Sequence, residues 1–298
     1  MSSIYGFGNA LIDIEIKVSE EQLKNINILK GSMKHISVDE LDFYLDQFSN
    51  QLYSALPGGS IANSIYAANH HNIKTHFSCS IGDDEYGESF INASKNIFSS
   101  VSFSKSDLPT GICIIFITPD GQRTMAANLG ANIDLNPSCI DIDKLQSSEY
   151  LLFDNFSLST ENGYQTAKFC VARSPSSKVC FGLSDVTLII ENKSRLKELF
   201  NSKIEILFGN EEEVAALNNS QLVNPLNLLT TLGERGAKYN ETSLEAPKIK
   251  IINSNGAGDA LIGTFLANRV KRLSPYDSLN KAIEYASNVC CTNGPRLR

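Results

Sequence analysis

Several features are missing from this sequence of 298 residues, and each absence excludes a class of protein. No apolar run approaches the roughly 20 residues that a membrane-spanning helix needs, and no basic leader opens the chain, so we expect a cytoplasmic protein without a membrane partner. Basic residues are not in excess: 26 Lys and Arg stand against 33 Asp and Glu, a net charge of −7 that argues against a nucleic-acid partner. The seven cysteines form no CxxC motif and are expected to be reduced thiols.

Histidines are scarce as well, with four in the chain. His70, His71 and His76 lie close together in the sequence, but neighbouring histidines on a helix point in different directions and no third type of ligand accompanies them. We therefore assign no metal to these residues.

A glycine-rich stretch around residue 256 is the most informative segment that the sequence does contain. The apolar run 249–252 predicts a strand, Gly256-Ala257-Gly258 predicts a turn, and the small and apolar residues after Asp259 predict a buried helix. The unpaired amides at a helix start attract anions, phosphate especially, and glycines allow a phosphoryl group to approach them. Asp259 could then accept a proton from an attacking hydroxyl. The alternative is that Asp259 merely caps the helix.

The first part of the chain predicts a small group of strands. Residues 12–18 alternate apolar and charged side chains, which is typical of a strand with one solvated face. Asp13 on this strand could chelate two vicinal hydroxyls, although a solvated strand residue is the alternative. A further short strand is predicted over 33–37, and a hairpin over 110–128 with its turn at Pro119-Asp120-Gly121. These strands could cover a pocket as a lid.

Two helices separated by a break are predicted between the lid strands. An amphipathic pattern predicts a helix over 39–56, Pro57-Gly58-Gly59-Ser60 interrupts it, and a helix of small residues follows over 61–69. Asn63, one turn into the second helix, could hydrogen-bond a substrate hydroxyl, whereas a buried Asn satisfied by the backbone is the alternative.

From residue 141 onward the predicted strands and helices alternate. This alternation is typical of a mainly parallel sheet with helices on both faces, in which ligands bind at the carboxyl ends of the strands. The motifs after residue 208 each follow a predicted strand. The sequence therefore predicts an α/β fold.

Taken together, these segments resemble the ribokinase-like, pfkB-type family of carbohydrate kinases over nearly the whole chain. The resemblance is closest to the branch of adenosine kinases and sugar kinases. It rests on motifs that occur in family order and spacing: Gly8 to Asp13, Gly58-Gly59-Ser60-Ile61-Ala62-Asn63, Gly82 to Gly87, Asn210-Glu211-Glu212-Glu213, Thr231 to Gly236, Asn255 to Asp259 and Gly294-Pro295-Arg296-Leu297.

The resemblance implies a single domain over 1–298: a three-layer sandwich with a mainly parallel central sheet and a small β-sheet lid inserted at about 12–37 and 110–128. It implies transfer of the ATP γ-phosphate to a hydroxymethyl group of a sugar or nucleoside, with Mg²⁺ carried by the nucleotide and K⁺ as a further candidate cofactor. A homodimer could form through the lid, since uncovered strand edges invite pairing. The other hypothesis is a kinase-like protein that binds nucleotide or nucleoside without catalysing transfer.

The same resemblance implies roles for individual residues. Asp259 corresponds to the catalytic base, and Gly256, Ala257 and Gly258 correspond to the anion hole. The acceptor positions are Asp13, Gly58, Gly59, Asn63 and, on the lid hairpin, Arg123. The nucleotide positions are Asn210, Glu213, Thr231, Gly233, Gly236 and Asn255, with Glu213 reaching Mg²⁺ through water and no side chain assigned as a direct metal ligand.

The chain departs from the family pattern at three places near these positions, one of which is a short segment over 239–249 that is expected to leave the loop flanking the nucleotide more open. Asn253-Ser254 stands where the family usually has Asp-Thr, which bears on the K⁺ site. The segment 214–230 is also shorter than usual, with residues 218–225 in place of a helix, so the adenine-side wall is expected to differ.

Overall fold

The computed structural model describes residues 3–201, 204–222 and 227–297. In chain order its strands and helices are β1 (Ser3–Phe7), β2 (Leu11–Lys17), α1 (Glu20–Ile26), β3 (Met33–His35), α2 (Val38–Gln47), β4 (Leu52–Gly58), α3 (Ser60–His70), β5 (Lys74–Gly82), α4 (Glu85–Lys95), β6 (Ser100–Ser106), β7 (Gly111–Ile117), β8 (Arg123–Asn128), α5 (Ile142–Ser147), β9 (Tyr150–Asp154), α6 (Glu161–Arg173), β10 (Lys178–Gly182), α7 (Val186–Glu191), α8 (Lys193–Phe200), β11 (Ile204–Asn210), α9 (Glu211–Asn219), β12 (Asn227–Thr231), β13 (Ala237–Tyr239), β14 (Thr242–Leu244), α10 (Ala257–Val270) and α11 (Pro275–Cys290).

A nine-stranded sheet forms the centre of the molecule, in the order β14-β13-β12-β11-β10-β9-β1-β5-β6. Its strands from β12 to β6 run parallel, whereas β13 and β14 run antiparallel at one edge. The prediction of a mainly parallel central sheet is confirmed. Because parallel strands end at the same edge, the loops after β1, β9, β10, β11 and β12 meet there.

Helices cover both faces of this sheet, because successive side chains of its strands point to opposite faces. On β1, Ile4 enters the hydrophobic core that includes residues of α3, α10 and α11, whereas Tyr5 enters the core that includes residues of α6 and α8. Helices α3 and α10 cross closely: a Cβ on Gly263 would lie 1.9 Å from the carbonyl oxygen of Ser64. The predicted three-layer arrangement is therefore present.

A separate five-stranded sheet has the order β3-β8-β7-β2-β4. Strands β7 and β8 form the predicted hairpin, with Ile117 paired to Arg123 and Gly121 at a φ of 78° in the turn. Strand β2 pairs parallel to β7 and antiparallel to β4. The small sheet predicted from residues 12–37 and 110–128 is thus present, with β4 as an additional strand.

The predicted helix over 39–56 is wrong in its second half. Helix α2 ends at Gln47, and Leu52–Gly58 forms β4, which pairs with β2. Hydrogen bonding to β2 outweighs the helical spacing of the apolar residues. Pro57, which cannot donate a backbone hydrogen bond, is tolerated because β4 lies at the sheet edge.

The predicted strand over 249–252 is also wrong. These residues adopt no regular structure, and Ile249, Ile251 and Ile252 are exposed. The segment is instead held by the end of α11, because the amides of Ile252 and Asn253 both donate to the carbonyl oxygen of Cys290. An apolar run without a neighbouring strand has no partner for its backbone groups, and a loop results.

The solvated face predicted for β2 is a third error. Asp13 and Glu15 are both buried, with exposed fractions of 5% and 1%, and only Lys17 at the strand end is exposed. The carboxyl-bearing face of β2 is covered by the loop before α10, so the alternation on this strand separates two buried environments.

The sequence predicts that residues 218–225 stand in place of a helix. Helix α9 extends two residues into this segment and ends at Asn219. Residues 223–226 lie outside the described part of the chain. Every helix within residues 3–201, 204–222 and 227–297 is too short or too polar to cross a membrane.

Candidate active site

A cavity of about 880 Å³ lies between the small sheet and the carboxyl edge of the central sheet. All the residues to which the sequence assigned a role line this cavity except Gly58. The structure thus brings together positions that are up to 246 residues apart in the chain: Asp13, Gly59, Asn63, Arg123, Asn210, Glu213, Thr231, Gly233, Gly236, Asn255, Gly256, Ala257, Gly258 and Asp259.

Asp259 lies in the first turn of α10, at the centre of the cavity wall. The Ser60 hydroxyl donates to its Oδ1 at 2.8 Å, and the Asn63 side-chain amide donates to its Oδ2 at 3.1 Å. Burial raises the pKa of Asp259, while these two hydrogen bonds and the charges of Arg123 and Arg296 oppose the shift. The carboxyl group is therefore fixed in position, and its pKa is higher than that of an exposed aspartate.

The glycine turn presents backbone amides beside this carboxylate. Gly256 has a φ of 73°, and a Cβ there would lie 2.5 Å from the Pro295 carbonyl oxygen, so glycine is required. A Cβ on Gly258 would meet no atom within 4 Å, because this residue faces the open cavity. The first hydrogen bond of the helical ladder is donated by the Ala260 amide to the Gly256 carbonyl, so the amides before it lie outside the ladder.

Asp13 faces the cavity from β2, on the side of the small sheet. Burial raises its pKa to about 7, although the charge of Arg296 and a hydrogen bond from Asn255 lower it. Gly58 lies so close that a Cβ there would be 2.1 Å from Asp13 Cγ, which explains a glycine that does not itself line the cavity. At Gly59, a φ of 91° and the nearby Asn9 carbonyl oxygen also exclude a side chain.

Asn255 connects the small sheet to the glycine turn. Its Oδ1 accepts a hydrogen bond of 2.8 Å from Nη1 of Arg123, and its Nδ2 lies 3.5 Å from a carboxylate oxygen of Asp13. Two residues earlier, Nδ2 of Asn253 donates to the buried Glu15 at 2.7 Å, and Oδ1 of Asn253 accepts from the Asn255 amide at 2.8 Å. Side chains of β2 and β8 are thereby tied to the loop that leads into α10.

The residues after β11 and β12 that the resemblance assigns to the nucleotide lie at the other end of the cavity. Asn210 and Glu213 form a reciprocal capping box at the start of α9, with Glu213 N donating to Asn210 Oδ1 at 2.8 Å. Burial raises the pKa of Glu213 to about 7. Thr231 ends β12, and a 3-10 turn over Gly233–Arg235 follows. Gly233 at its start and Gly236 directly after it adopt φ values of 61° and 100°.

Three polar residues at the site were not assigned a role from the sequence. Ser60 donates to Asp259, as described above. Asp154 ends β9 and lines the cavity, with burial raising its pKa to about 6. Arg296 donates from Nε to Asn63 Oδ1 at 2.8 Å. For Asp154 the available signal was a carboxylate at the end of a central strand, and for Arg296 it was an arginine directly after Gly294-Pro295.

The wall of the cavity beside Asp13 is largely apolar. On the small sheet, a hydrophobic cluster contains Cys113, Ile115 and Ala127, with Leu11, Met33 and Met125 packed against it. These residues line the cavity together with Leu129 and Phe156. This surface suits a flat apolar group better than it suits the hydroxyls of a free sugar.

The three histidines lie apart from this cavity. His71 pairs through Nε2 with the Thr264 hydroxyl, and His76 pairs through Nδ1 with the Ser100 hydroxyl. In the described part of the chain, no group of three or more His, Cys, Asp or Glu residues is arranged to hold a metal ion.

The profile of the pfkB family carbohydrate kinases matches residues 37–297. The chain belongs to this family. As a pfkB-family protein it is a carbohydrate or nucleoside kinase, and the family's use of ATP supports ATP as the phosphate donor.

Individual relatives of this pfkB kinase include both nucleoside and sugar kinases. Adenosine kinase 2 of Arabidopsis thaliana is 28% identical, over 96% of this chain and 92% of its own length. A ribokinase of Lactococcus lactis is 27% identical over 78% of each chain. The solved adenosine kinase of Sinorhizobium meliloti superposes with a TM-score of 0.92 at 22% identity, covering 99% of this chain and 95% of its own, which establishes the fold.

Proposed function

We propose that this kinase transfers the γ-phosphate of ATP to a hydroxymethyl group of a nucleoside or sugar, with Asp259 as the general base. The observation that carries the proposal is the placement of Asp259. Its carboxylate is held by Ser60 and Asn63, beside the glycine turn and between the Asp13 end and the Glu213 end of one cavity. An acceptor hydroxyl and a γ-phosphoryl group can therefore meet beside it.

The acceptor would bind at the Asp13 end. In its ionised form Asp13 can accept hydrogen bonds from two neighbouring hydroxyls, and Asn63 can bond a further one. Gly59 lines the same end of the cavity, Gly58 leaves room for the Asp13 side chain, and Arg123 supplies positive charge nearby. A hydroxymethyl group of the bound acceptor would then point toward Asp259.

The apolar wall favours a nucleoside over a free sugar as the acceptor. A nucleobase offers two flat faces that would bury the side chains of Met33, Ile115 and Met125, whereas ribose or fructose would leave that surface uncovered. Sugars remain the second class of acceptor for the assay, because the hydroxyl-binding residues would be shared by both.

The donor nucleotide would bind at the other end. Gly233 leaves room for the nucleotide beside β12, whereas Gly236 allows the chain to pass close to the Leu244 carbonyl oxygen. Asn255 lies at the junction with the acceptor side. The amides of Gly256, Ala257 and Gly258 would face the γ-phosphoryl group, where fixed dipoles stabilise the charge that develops during transfer.

Glu213 fits a role toward Mg²⁺ carried by the nucleotide. Its carboxyl group lines the cavity, and burial, together with the charges of Asp185, Glu212 and Asp259, raises its pKa to about 7. Bound Mg²⁺ would neutralise phosphate charge and favour the ionised form of Glu213, with Asn210 holding that side chain in place.

Phosphoryl transfer also requires exclusion of water, because an open site would transfer phosphate to water. The small sheet would serve as a lid that closes over the acceptor within one kinase domain. The hydrogen bonds from Arg123 to Asn255 and from Asn253 to Glu15 tie this sheet to the catalytic turn.

The proposal is tested by measuring conversion of ATP to ADP with Mg²⁺ against adenosine, other nucleosides, ribose, fructose and related sugars. We expect stimulation by a nucleoside. The same reactions are run with and without potassium, because Asn253 stands at a position that bears on the K⁺ site. Its side-chain oxygen already accepts a hydrogen bond from the backbone amide of Asn255. If no acceptor stimulates turnover although ATP still binds, the non-catalytic binding protein becomes the better description.

A further inference from the structure

Arg296 lies in the segment that follows the last helix, and this segment packs against the catalytic turn. The Pro295 carbonyl oxygen occupies the space beside Gly256 that a side chain would fill. The Tyr66 hydroxyl donates to the carbonyl oxygen of Leu297, and the guanidinium of Arg296 stacks 5.1 Å from the centre of the Tyr66 ring. The position of Arg296 is therefore well defined from two sides.

A chain of two hydrogen bonds leads from Arg296 to Asp259. Nε of Arg296 donates to Oδ1 of Asn63 at 2.8 Å, and Nδ2 of Asn63 donates to Oδ2 of Asp259 at 3.1 Å. A guanidinium can only donate, and an ionised carboxylate can only accept. Only one orientation of the Asn63 amide satisfies both neighbours, so Arg296 determines that the NH₂ group faces Asp259.

Within the described part of the chain, the guanidinium of Arg296 forms no salt bridge. Its Nη2 is buried and has no hydrogen-bond partner among the described residues. Burial lowers the pKa of Arg296 to about 10, so the group remains charged at neutral pH. Burying such a charge without a paired carboxylate costs stability, which indicates a role other than holding the fold together.

We infer that Arg296 is a positioning residue for phosphoryl transfer, which acts by fixing the Asn63 amide that holds Asp259 in line with the acceptor hydroxyl. This inference rests on the proposed role of Asp259 as the base. The positive charge of Arg296 acts in the same direction, because it lowers the pKa of both Asp259 and Asp13 and so favours their ionised forms.

Kinetics of four variants test the inference: Arg296→Met, Asn63→Ala, the double variant, and Tyr66→Phe. We expect Arg296→Met to lower kcat about tenfold to a hundredfold, the scale of a displaced catalytic group, with little change in the KM for ATP. In the Asn63→Ala background the same change should lower kcat no further. Tyr66→Phe keeps the stacked ring but removes the tether to Leu297, and should lower kcat less than Arg296→Met does.

A second measurement does not depend on turnover. Carboxyl-carbon NMR titration, assigned with Asp259→Asn, should show a higher pKa for Asp259 in Arg296→Met than in the wild type. The other charged groups that face Asp259 are Asp13, Arg123, Asp154 and Glu213, and of these the pKa of Asp13 should also rise when the charge of Arg296 is removed.

The outcomes separate this inference from the proposed function. Additive losses of kcat in the double variant, or an unchanged pKa of Asp259 in Arg296→Met, would overturn the positioning role. A wild-type protein that transfers no phosphate would overturn the proposed function, and the titration would still decide whether Arg296 controls Asp259.

Discussion

The carboxyl group of Asp13 connects the stability of the free protein to pH. Burial on β2 raises its pKa to about 7, whereas in an unfolded chain it would titrate near 4. The folded protein therefore holds this proton to a higher pH than the unfolded chain does. Between about pH 4 and pH 7, Asp13 is ionised in the unfolded chain but still protonated in the folded protein. The contribution of Asp13 to the free energy of unfolding therefore falls as pH rises through this range.

Asp13→Asn should remove this dependence. We expect the variant to become more stable relative to the wild type by an amount on the order of 1 kcal/mol or more as pH rises from about 5 to about 7.5, with no further gain at higher pH. Urea unfolding of the unliganded proteins at several pH values measures this difference. A constant difference across the range would show that Asp13 titrates normally.

The same titration should govern acceptor binding. Only ionised Asp13 can accept two hydroxyl hydrogen bonds, so the KM for the acceptor should fall as pH rises through about 7.

At the level of elements, the turn that begins α10 offers a matched pair of glycines. Gly256→Ala places a methyl group against the Pro295 carbonyl at a φ of 73°, and should cost about 1–3 kcal/mol of stability. Gly258→Ala meets no atom, so its free energy of unfolding should match or exceed that of the wild type.

Turnover distinguishes the two substitutions further. The methyl group of Gly258→Ala would stand in the space through which a phosphoryl group must approach the amides, so kcat should fall although the fold is intact. Unfolding curves and steady-state rates measured on both variants provide the check. Wild-type turnover in Gly258→Ala would mean that phosphate binds elsewhere.

The loop before α10 is held to β2 by a hydrogen bond from the Asn253 side-chain amide to the Glu15 carboxylate. Asn253→Asp would put a second carboxylate beside buried Glu15, where the present Nδ2 to Oε1 distance is 2.7 Å, and should cost about 1–3 kcal/mol. Glu15→Gln in the same chain should restore most of the loss, since a glutamine amide can donate to the new carboxylate. A double-mutant cycle by urea unfolding measures the coupling, and strictly additive losses would refute it.

The elements that sequence reasoning missed share a physical cause. Residues 52–58 become a strand only because β2 offers its backbone groups, and residues 249–252 remain a loop because no strand lies beside them. Both outcomes depend on partners distant in the chain. The hairpin of β7 and β8 was predictable, because its turn residues and alternating strands are local.

For the molecule as a whole, the family motifs marked residues at both ends of the cavity, but not the contacts between them. The sequence placed Asn63 and Asp259 on the site, whereas the bridge from Arg296 spans 233 residues and emerges only in the fold. In the same way, the burial of Glu15 follows from the loop that packs against β2, and the alternating pattern of that strand concealed it.

The two edge strands of the small sheet, β3 and β4, could pair with a second copy of the chain. Among the described strands, β3 and β4 each pair on one side only, and Leu52 at the start of β4 is 51% exposed. We propose that two copies pair through these edges. Small-angle scattering should then give twice the mass of one chain, and a monomer mass that does not change with concentration would contradict the pairing.

Product analysis of Asp259→Asn tests the central claim most directly. With ATP, Mg²⁺ and the best acceptor from the panel, ³¹P NMR of the wild-type reaction should show a phosphate monoester on the acceptor's hydroxymethyl group. Asp259→Asn should form this product at least about a hundredfold more slowly, the scale of general-base catalysis, while binding ATP as the wild type does. Near-normal product formation by the variant would contradict the role of Asp259 as the base.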